Sequence, residues 1–128
     1  MNVIGVGVDL VDLERVARLL ANKGDHAMQR FFTDGERSYL ASRPDPTGHA
    51  AARIAAKEAV YKALQALEGA RGVGWREIEV TRDADGRPAI QFHGLAAQLA
   101  AAHGGLMVQV SLTHSAVSAG AVAVVGTA

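Results

Sequence analysis

The sequence predicts an α+β fold in one domain covering residues 1–128, a largely antiparallel sheet with one long helix. Two observations lead there. The periodic segments run strand, several helices, hairpin, helix, hairpin, without the strand–helix alternation of a doubly wound parallel sheet. A chain of 128 residues, 49% of them hydrophobic, suits a single core, and no linker, low-complexity tract or repeat marks a second domain.

Taken in order, Val3 to Val11 is β-branched and almost continuously apolar, as for a strand buried on both faces, with Asp9 as its polar exception. Asp12 stands as N-cap before Leu13, Val16, Ala17 and Leu20, the stripe of a short amphipathic helix that Gly24 ends. Thr33 and Glu36 form a capping box for a helix carrying Tyr39 and Leu40, and Ser42 to Gly48, with Pro44 and Pro46, reads as a loop. From Ala50 to about Leu67 the Ala, Leu, Lys, Glu and Gln content favours the longest helix, closed by Gly69. Trp75 to Arg82 and Pro88 to Phe92 flank the turn Asp83-Ala84-Asp85-Gly86 and form a hairpin. Leu95 to Ala102 is a short helix before Gly104-Gly105. A second hairpin pairs the alternating stretch Leu106 to Thr113 with the apolar run Val117 to Val125.

Composition removes several function classes. Thirteen basic residues balance thirteen acidic ones, so no net field draws the chain to nucleic acid or an anionic membrane. No cysteine is present, which excludes disulfides, thiolate metal sites and a cysteine nucleophile and fits a cytoplasmic protein. The N-terminus lacks a basic leader, and no uncharged apolar run approaches the roughly 18 residues of a membrane span, so a mature soluble protein is expected.

A few residues stand out chemically. Asp9 ends an apolar strand, where a carboxylate requires a cation, a metal or hydrogen-bond donors; structural and metal-binding roles are both open. Glu58 and Lys62 share a helix face, the ordinary spacing of an i,i+4 ion pair. Lys57 lies at the edge of the apolar stripe, where it must snorkel or meet an anion. Ten of the thirteen basic residues are Arg, so Lys57 and Lys62 around Glu58 suggest sites where a compact point charge is wanted. His114 ends a strand at a hairpin, as a surface residue or a phosphate donor. His26, His49, His93 and His103 show no zinc-ligand spacing. Gly5-Val6-Gly7 lacks the rest of a dinucleotide loop, Asp83 to Gly86 departs from a calcium loop, and Asp9 and Asp12 miss the spacing of phosphoaspartyl hydrolases. Arg15, Arg18, Lys23 and Arg30 make a mild basic patch.

Together, Gly5 to Val16, Arg30-Phe31-Phe32-Thr33 with Glu36, Arg53-Ile54-Ala55-Ala56-Lys57-Glu58-Ala59-Val60-Tyr61-Lys62-Ala63, Gly86-Arg87-Pro88 and Val110 to His114 closely resemble the holo-(acyl-carrier-protein) synthases, the small-type 4′-phosphopantetheinyl transferases. The blocks keep the family's order over nearly the whole chain; Ile54, where the family usually has an aromatic residue, is a departure that touches packing. The resemblance implies transfer of 4′-phosphopantetheine from coenzyme A to the serine of apo acyl carrier protein, releasing adenosine 3′,5′-bisphosphate. It implies Mg²⁺ (or Mn²⁺) on Asp9 and Glu58, Lys62 beside the departing bisphosphate, and Glu58 or a metal-bound water as proton acceptor. Arg53, Lys57, Pro88 and His114 would hold coenzyme A, and Arg15 the carrier protein; Arg18, one turn on, is added to that surface from its place on the same helix face, not from the resemblance. A homotrimer with active sites between subunits is implied as well. The alternatives are the same chemistry on a polyketide or peptide-synthetase carrier domain, and a non-catalytic oligomeric module that binds coenzyme A.

Overall fold

The computed structural model describes residues 1–128. Strand β1 (Asn2–Asp12) leads into helix α1 (Leu13–Phe31), α2 (Asp34–Ala41) and the long α3 (Thr47–Leu64); a hairpin of β2 (Ile78–Arg82) and β3 (Pro88–Phe92), then α4 (Gly94–Ala102), β4 (Met107–His114) and β5 (Ser118–Thr127) follow. The expected α+β class and antiparallel pairing are what the chain adopts. β5 is the middle strand of a three-stranded sheet between β1 and β4, and β2 pairs only with β3 in a second ribbon, which packs beside β4. Asn2 pairs with Thr127 and Asp12 with Ser118, so the two ends of the chain build the sheet together.

The position of α3 follows from small residues. It lies across β1 and β5 with Ala55, Ala56, Ala59 and Ala63 fully buried. A Cβ on Gly5 or Gly7 would collide with the carbonyl oxygens of Ala63 and Ala59. These glycines, which the sequence offers as half of a nucleotide loop, instead let the helix backbone approach the strand. Around this contact Val60, Leu64, Val73, Ile78, Val80 and Val125 form the main core, and Val16, Phe32 and Leu40 fill a smaller one between α1, α2 and α3.

Several expectations need correction. β1 is an edge strand covered on one face only; Val6, Val8 and Leu10 are 62%, 66% and 72% exposed. Continuous apolar sequence does not say what covers the second face. Helix α1 continues past Gly24, which takes φ 47° and ψ −123° and kinks it, and runs to Phe31. Asp12 occupies the N-cap position without making the side-chain hydrogen bond. Helix α3 starts within the expected loop, at Thr47, and ends at Leu64; the first hairpin strand begins at Ile78, after a 3₁₀ turn at Trp75–Glu77. The Thr33–Glu36 capping box is present in both its hydrogen bonds.

Glu36 does more than cap. Its Oε1 meets Lys57 Nζ at 2.5 Å, and its Oε2 accepts from the Val80 amide at 2.8 Å. Lys57, 1% exposed, also donates to the carbonyls of Trp75 and Ile78, both at 2.8 Å. All three ammonium protons are thereby used, and the pair ties α3, α2 and the start of β2 into one unit. Burial pushes the Lys57 amine below its ordinary value, and Glu36 works against that shift. Glu79 extends the network, accepting from Thr33 Oγ1 at 2.7 Å and meeting His93 Nε2 at 2.8 Å. Burial alone would raise its carboxyl pKa, but these two hydrogen bonds and the nearby His93 and Lys57 charges outweigh burial and lower it.

Two stability predictions follow from this network. Lys57→Met strands a buried carboxylate and costs about 3–5 kcal/mol in urea denaturation, and adding Glu36→Gln recovers part of the loss; additive losses would show that the pair is not a unit. Because the folded pKa of Glu79 is depressed, its stabilisation is complete above the unfolded carboxylate range and disappears as pH falls through the lowered folded value. Thermal melts from pH 7 downward show that acid sensitivity reduced in Glu79→Gln.

Candidate active site

The close approach of α3 to β1 delivers Asp9 to the helix. Val6, Val8 and Leu10 are exposed, so Gly5, Gly7 and Asp9 share the face toward α3. Lys62 Nζ reaches back to Asp9 Oδ1 at 3.2 Å and to the Val8 carbonyl at 3.0 Å. The expected Glu58–Lys62 ion pair is therefore absent: Lys62 is paired with Asp9. Glu58, one turn earlier on α3, lines the same cleft as Asp9. Burial raises its carboxyl pKa, the Asp9 charge adds to that, and Lys62 partly offsets both.

This cleft has a volume of about 710 Å³ and runs between β1, α1 and α3. Arg15 and Arg18 stand along its α1 wall with Asn22, and Ile54, Phe31 and Trp75 close the other side. Arg18 also lies 3.6 Å from Glu14, an exposed pair one turn apart. Phe31 and Trp75 meet edge to face, with ring centres 4.9 Å apart.

The remaining sequence candidates lie elsewhere. A larger cleft of about 1140 Å³ is lined by Arg53, Pro88 and His114, together with His49, Arg82 and Arg87. The two clefts share no residue. On α1, Leu13, Glu14 and Ala17 face the large cleft whereas Arg15, Arg18 and Asn22 face the small one, so this helix is the wall between them. Lys57 enters neither. Its expected place among the coenzyme A ligands is corrected by its burial, since Glu36 and two carbonyls already consume its protons. The helical wheel puts Lys57 at the edge of the apolar stripe correctly, but the anion it meets is internal.

Against the large cleft lies a cluster that the sequence does not single out, of which His49, Arg53 and Arg82 line the cleft itself. Tyr39 is surrounded by guanidiniums, Arg53 at 4.0 Å from its ring centre, Arg43 at 4.6 Å and Arg82 at 5.1 Å. Arg53 is only 5% exposed; it donates to the His49 carbonyl at 3.3 Å, and its Nε has no partner. Burial lowers the Arg53 pKa, against the pull of Tyr39 and Glu36. The His49 imidazole is lowered by burial first and then by Arg53, Arg43 and Arg82. Three guanidiniums and an imidazole around one phenol have no local sequence signal, because Tyr39, Arg43, His49, Arg53 and Arg82 come from α2, the following loop, α3 and β2.

A divalent cation is compatible with the small cleft. Glu58, whose ionisation burial and the nearby Asp9 charge disfavour, gains from a cation of higher charge than an ammonium. No third Asp, Glu, His or Cys joins them, so the chain offers two hard oxygen donors and leaves the remaining positions to water and substrate oxygens, the habit of Mg²⁺.

Comparison with known proteins identifies the family. Residues 5–117 match the family model of the 4′-phosphopantetheinyl transferase superfamily. A holo-(acyl-carrier-protein) synthase of Gloeobacter violaceus is 46% identical over 110 residues, covering 85% of this chain and 82% of the relative. The solved structure of the Mycobacterium tuberculosis acyl carrier protein synthase superposes with a TM-score of 0.78 at 36% identity, over 99% of this chain and 100% of that one. A Chronobacterium ammoniagenes structure described as an ACPS–CoA complex gives 0.80 at 36% identity, over 94% and 95% of the two chains. Sequence and backbone are alike over almost the full length, and the chain belongs to the 4′-phosphopantetheinyl transferase superfamily.

Proposed function

We propose that the protein is a holo-(acyl-carrier-protein) synthase that uses the Asp9–Glu58 cleft for transfer and the arginine-lined cleft for coenzyme A. The observation that carries the first half is the meeting of Asp9, Glu58 and Lys62, from β1 and α3, beside Arg15 and Arg18. The serine oxygen of the carrier protein forms a bond to the β-phosphorus of coenzyme A, and the bond from that phosphorus to the bridging oxygen breaks. The leaving group is adenosine 3′,5′-bisphosphate. Such transfers depend on alignment and charge neutralisation more than on covalent help. The serine proton passes to Glu58, whose carboxyl pKa is raised by burial and the Asp9 charge. Lys62, half exposed at the cleft rim, turns its ammonium to the departing bisphosphate. Asp9 and Glu58 would hold Mg²⁺ (or Mn²⁺), which supplies neutralisation of the diphosphate charge when bound.

Coenzyme A binding is assigned to Arg53, Pro88 and His114. The cationic lining of that cleft, where Arg53 stands with Arg82 and Arg87, supports this, since guanidiniums suit phosphate oxygens. Arg15 and Arg18 are the positions for the acidic face of the carrier protein, an attraction that salt weakens.

The separation of the two clefts supports a homotrimer with the active site between subunits. One chain cannot present His114 and Glu58 to one substrate from clefts divided by α1, whereas a second copy can. The exposed Val6, Val8 and Leu10 on β1 are an apolar surface that such a contact would cover.

Apo acyl carrier protein incubated with the enzyme, coenzyme A and Mg²⁺ gains the mass of one phosphopantetheine, and EDTA or Glu58→Ala abolishes the gain. Coenzyme A binding without any mass gain on fatty-acid, polyketide or peptide-synthetase carriers would favour the non-catalytic module. Glu58→Ala and His114→Ala subunits, each inactive alone, regain part of the activity when unfolded and reassembled as a mixture. Mixed assemblies that stay inactive would place both residues in one chain's site.

A further inference from the structure

A third cavity adjoins Glu58 on the side away from Arg15. It has a volume of about 220 Å³ and lies between α3 and the segment that follows it, with Glu58, Tyr61, Val73, Gly74, Trp75 and Ile78 around it. The Lys57 stem adds an apolar floor, because its ammonium is drawn away to Glu36 and the two carbonyls. Glu58 and Trp75 line both this cavity and the carboxylate cleft, so the two adjoin.

The walls are held in place and their polar groups are spent. Tyr61 Oη donates to the Arg71 carbonyl at 2.7 Å, and Gln65 Nε2 donates to the carbonyls of Tyr61 and Ala70 at 3.1 and 3.2 Å. The Gly74 amide donates to Glu77 Oε1 at 2.7 Å, and its carbonyl accepts from the Glu77 amide at 3.1 Å. What remains facing the space is an indole, a phenol ring and aliphatic carbon, with one carboxylate at the mouth. A concave surface of that kind recognises branched hydrocarbon.

On the proposed reaction, on which this inference rests, the group attached to the β-phosphate begins with the pantoyl unit. Its quaternary carbon, bearing two methyl groups, lies three bonds from the phosphorus under attack. We propose that the cavity beside Glu58 is the specificity pocket for this gem-dimethyl group of the transferred arm. The pocket fixes the β-phosphorus against Glu58 by gripping the quaternary carbon three bonds away, and it rejects nucleotide diphosphates that carry a polar sugar in its place. The cavity is too small for the whole arm, so the β-alanyl and thiol portions lie outside it.

Gly74 allows a direct test. Its φ of −98° and ψ of 169° suit any residue, and an added Cβ would meet only Glu77 Oε1, at 3.5 Å. Gly74→Leu raises KM for coenzyme A about tenfold, the factor that burial of two methyl groups supplies, and leaves the affinity for adenosine 3′,5′-bisphosphate unchanged. Trp75, the single tryptophan, provides a second readout on the unmodified protein. Its emission shifts on adding coenzyme A or 4′-phosphopantetheine, and stays constant with adenosine 3′,5′-bisphosphate or inorganic phosphate. A wild-type KM in Gly74→Leu, or an equal Trp75 response to all four ligands, overturns the assignment. If Gly74→Leu does not fold, the emission series alone decides. Failure of the wild-type enzyme to modify any carrier, with the Trp75 response to 4′-phosphopantetheine intact, would strike the reaction and spare the pocket.

Discussion

The contact of α3 with β1 through bare backbone organises the molecule. A strand advances about 6.6 Å in two residues and a helix about 6 Å in four, so two glycines on one strand face can match two alanines on one helix face over a full turn. Gly5 opposes Ala63 and Gly7 opposes Ala59. With no side chain between the two elements, Asp9, the next residue on that face, comes within reach of Lys62 and alongside Glu58. The carboxylate cleft is thus a product of missing side chains as much as of the acids that define it.

Helix α3 then serves two environments with adjacent residues. Lys57 and Glu58 diverge by about 100° around the axis. One goes into the core to hold the backbone of Trp75 and Ile78, and the other goes to the cleft, where Trp75 is also part of the wall. The buried ion pair is in this sense a brace behind the site. Its Glu36 carboxylate also accepts from two backbone amides, those of Thr33 and Val80, which offsets part of the cost of burying charge.

Local signals in the sequence were reliable where the determinant was local. The capping box at Thr33 and the two hairpins lie where the pattern puts them, and the block from Arg53 to Ala63 identifies the helix and the family. The longer-range assignments separate by cause. An apolar strand reads as doubly buried whether its second face meets its own chain or another surface, so the edge position of β1 was invisible. Lys57 signals the need for an anion, but Glu36 is 21 residues away and already accounted for as a cap. The ring of Arg43, Arg53 and Arg82 around Tyr39 depends on three elements meeting, and no spacing within any one of them announces it. That Arg53 and His114 lie across α1 from Glu58 is likewise a property of topology.

The sheet has an order of assembly built into it. Its central strand, β5, comes from residues 118–127, and β1 has no other strand partner. During synthesis the first strand emerges early and must remain unpaired, with its valines open to solvent, until more than a hundred further residues have followed. Pairings so distant in sequence close slowly. The nascent chain therefore carries an adhesive N-terminal segment for most of its translation, and Asp9 cannot take its place beside α3 in a finished sheet until β5 slides between the two outer strands.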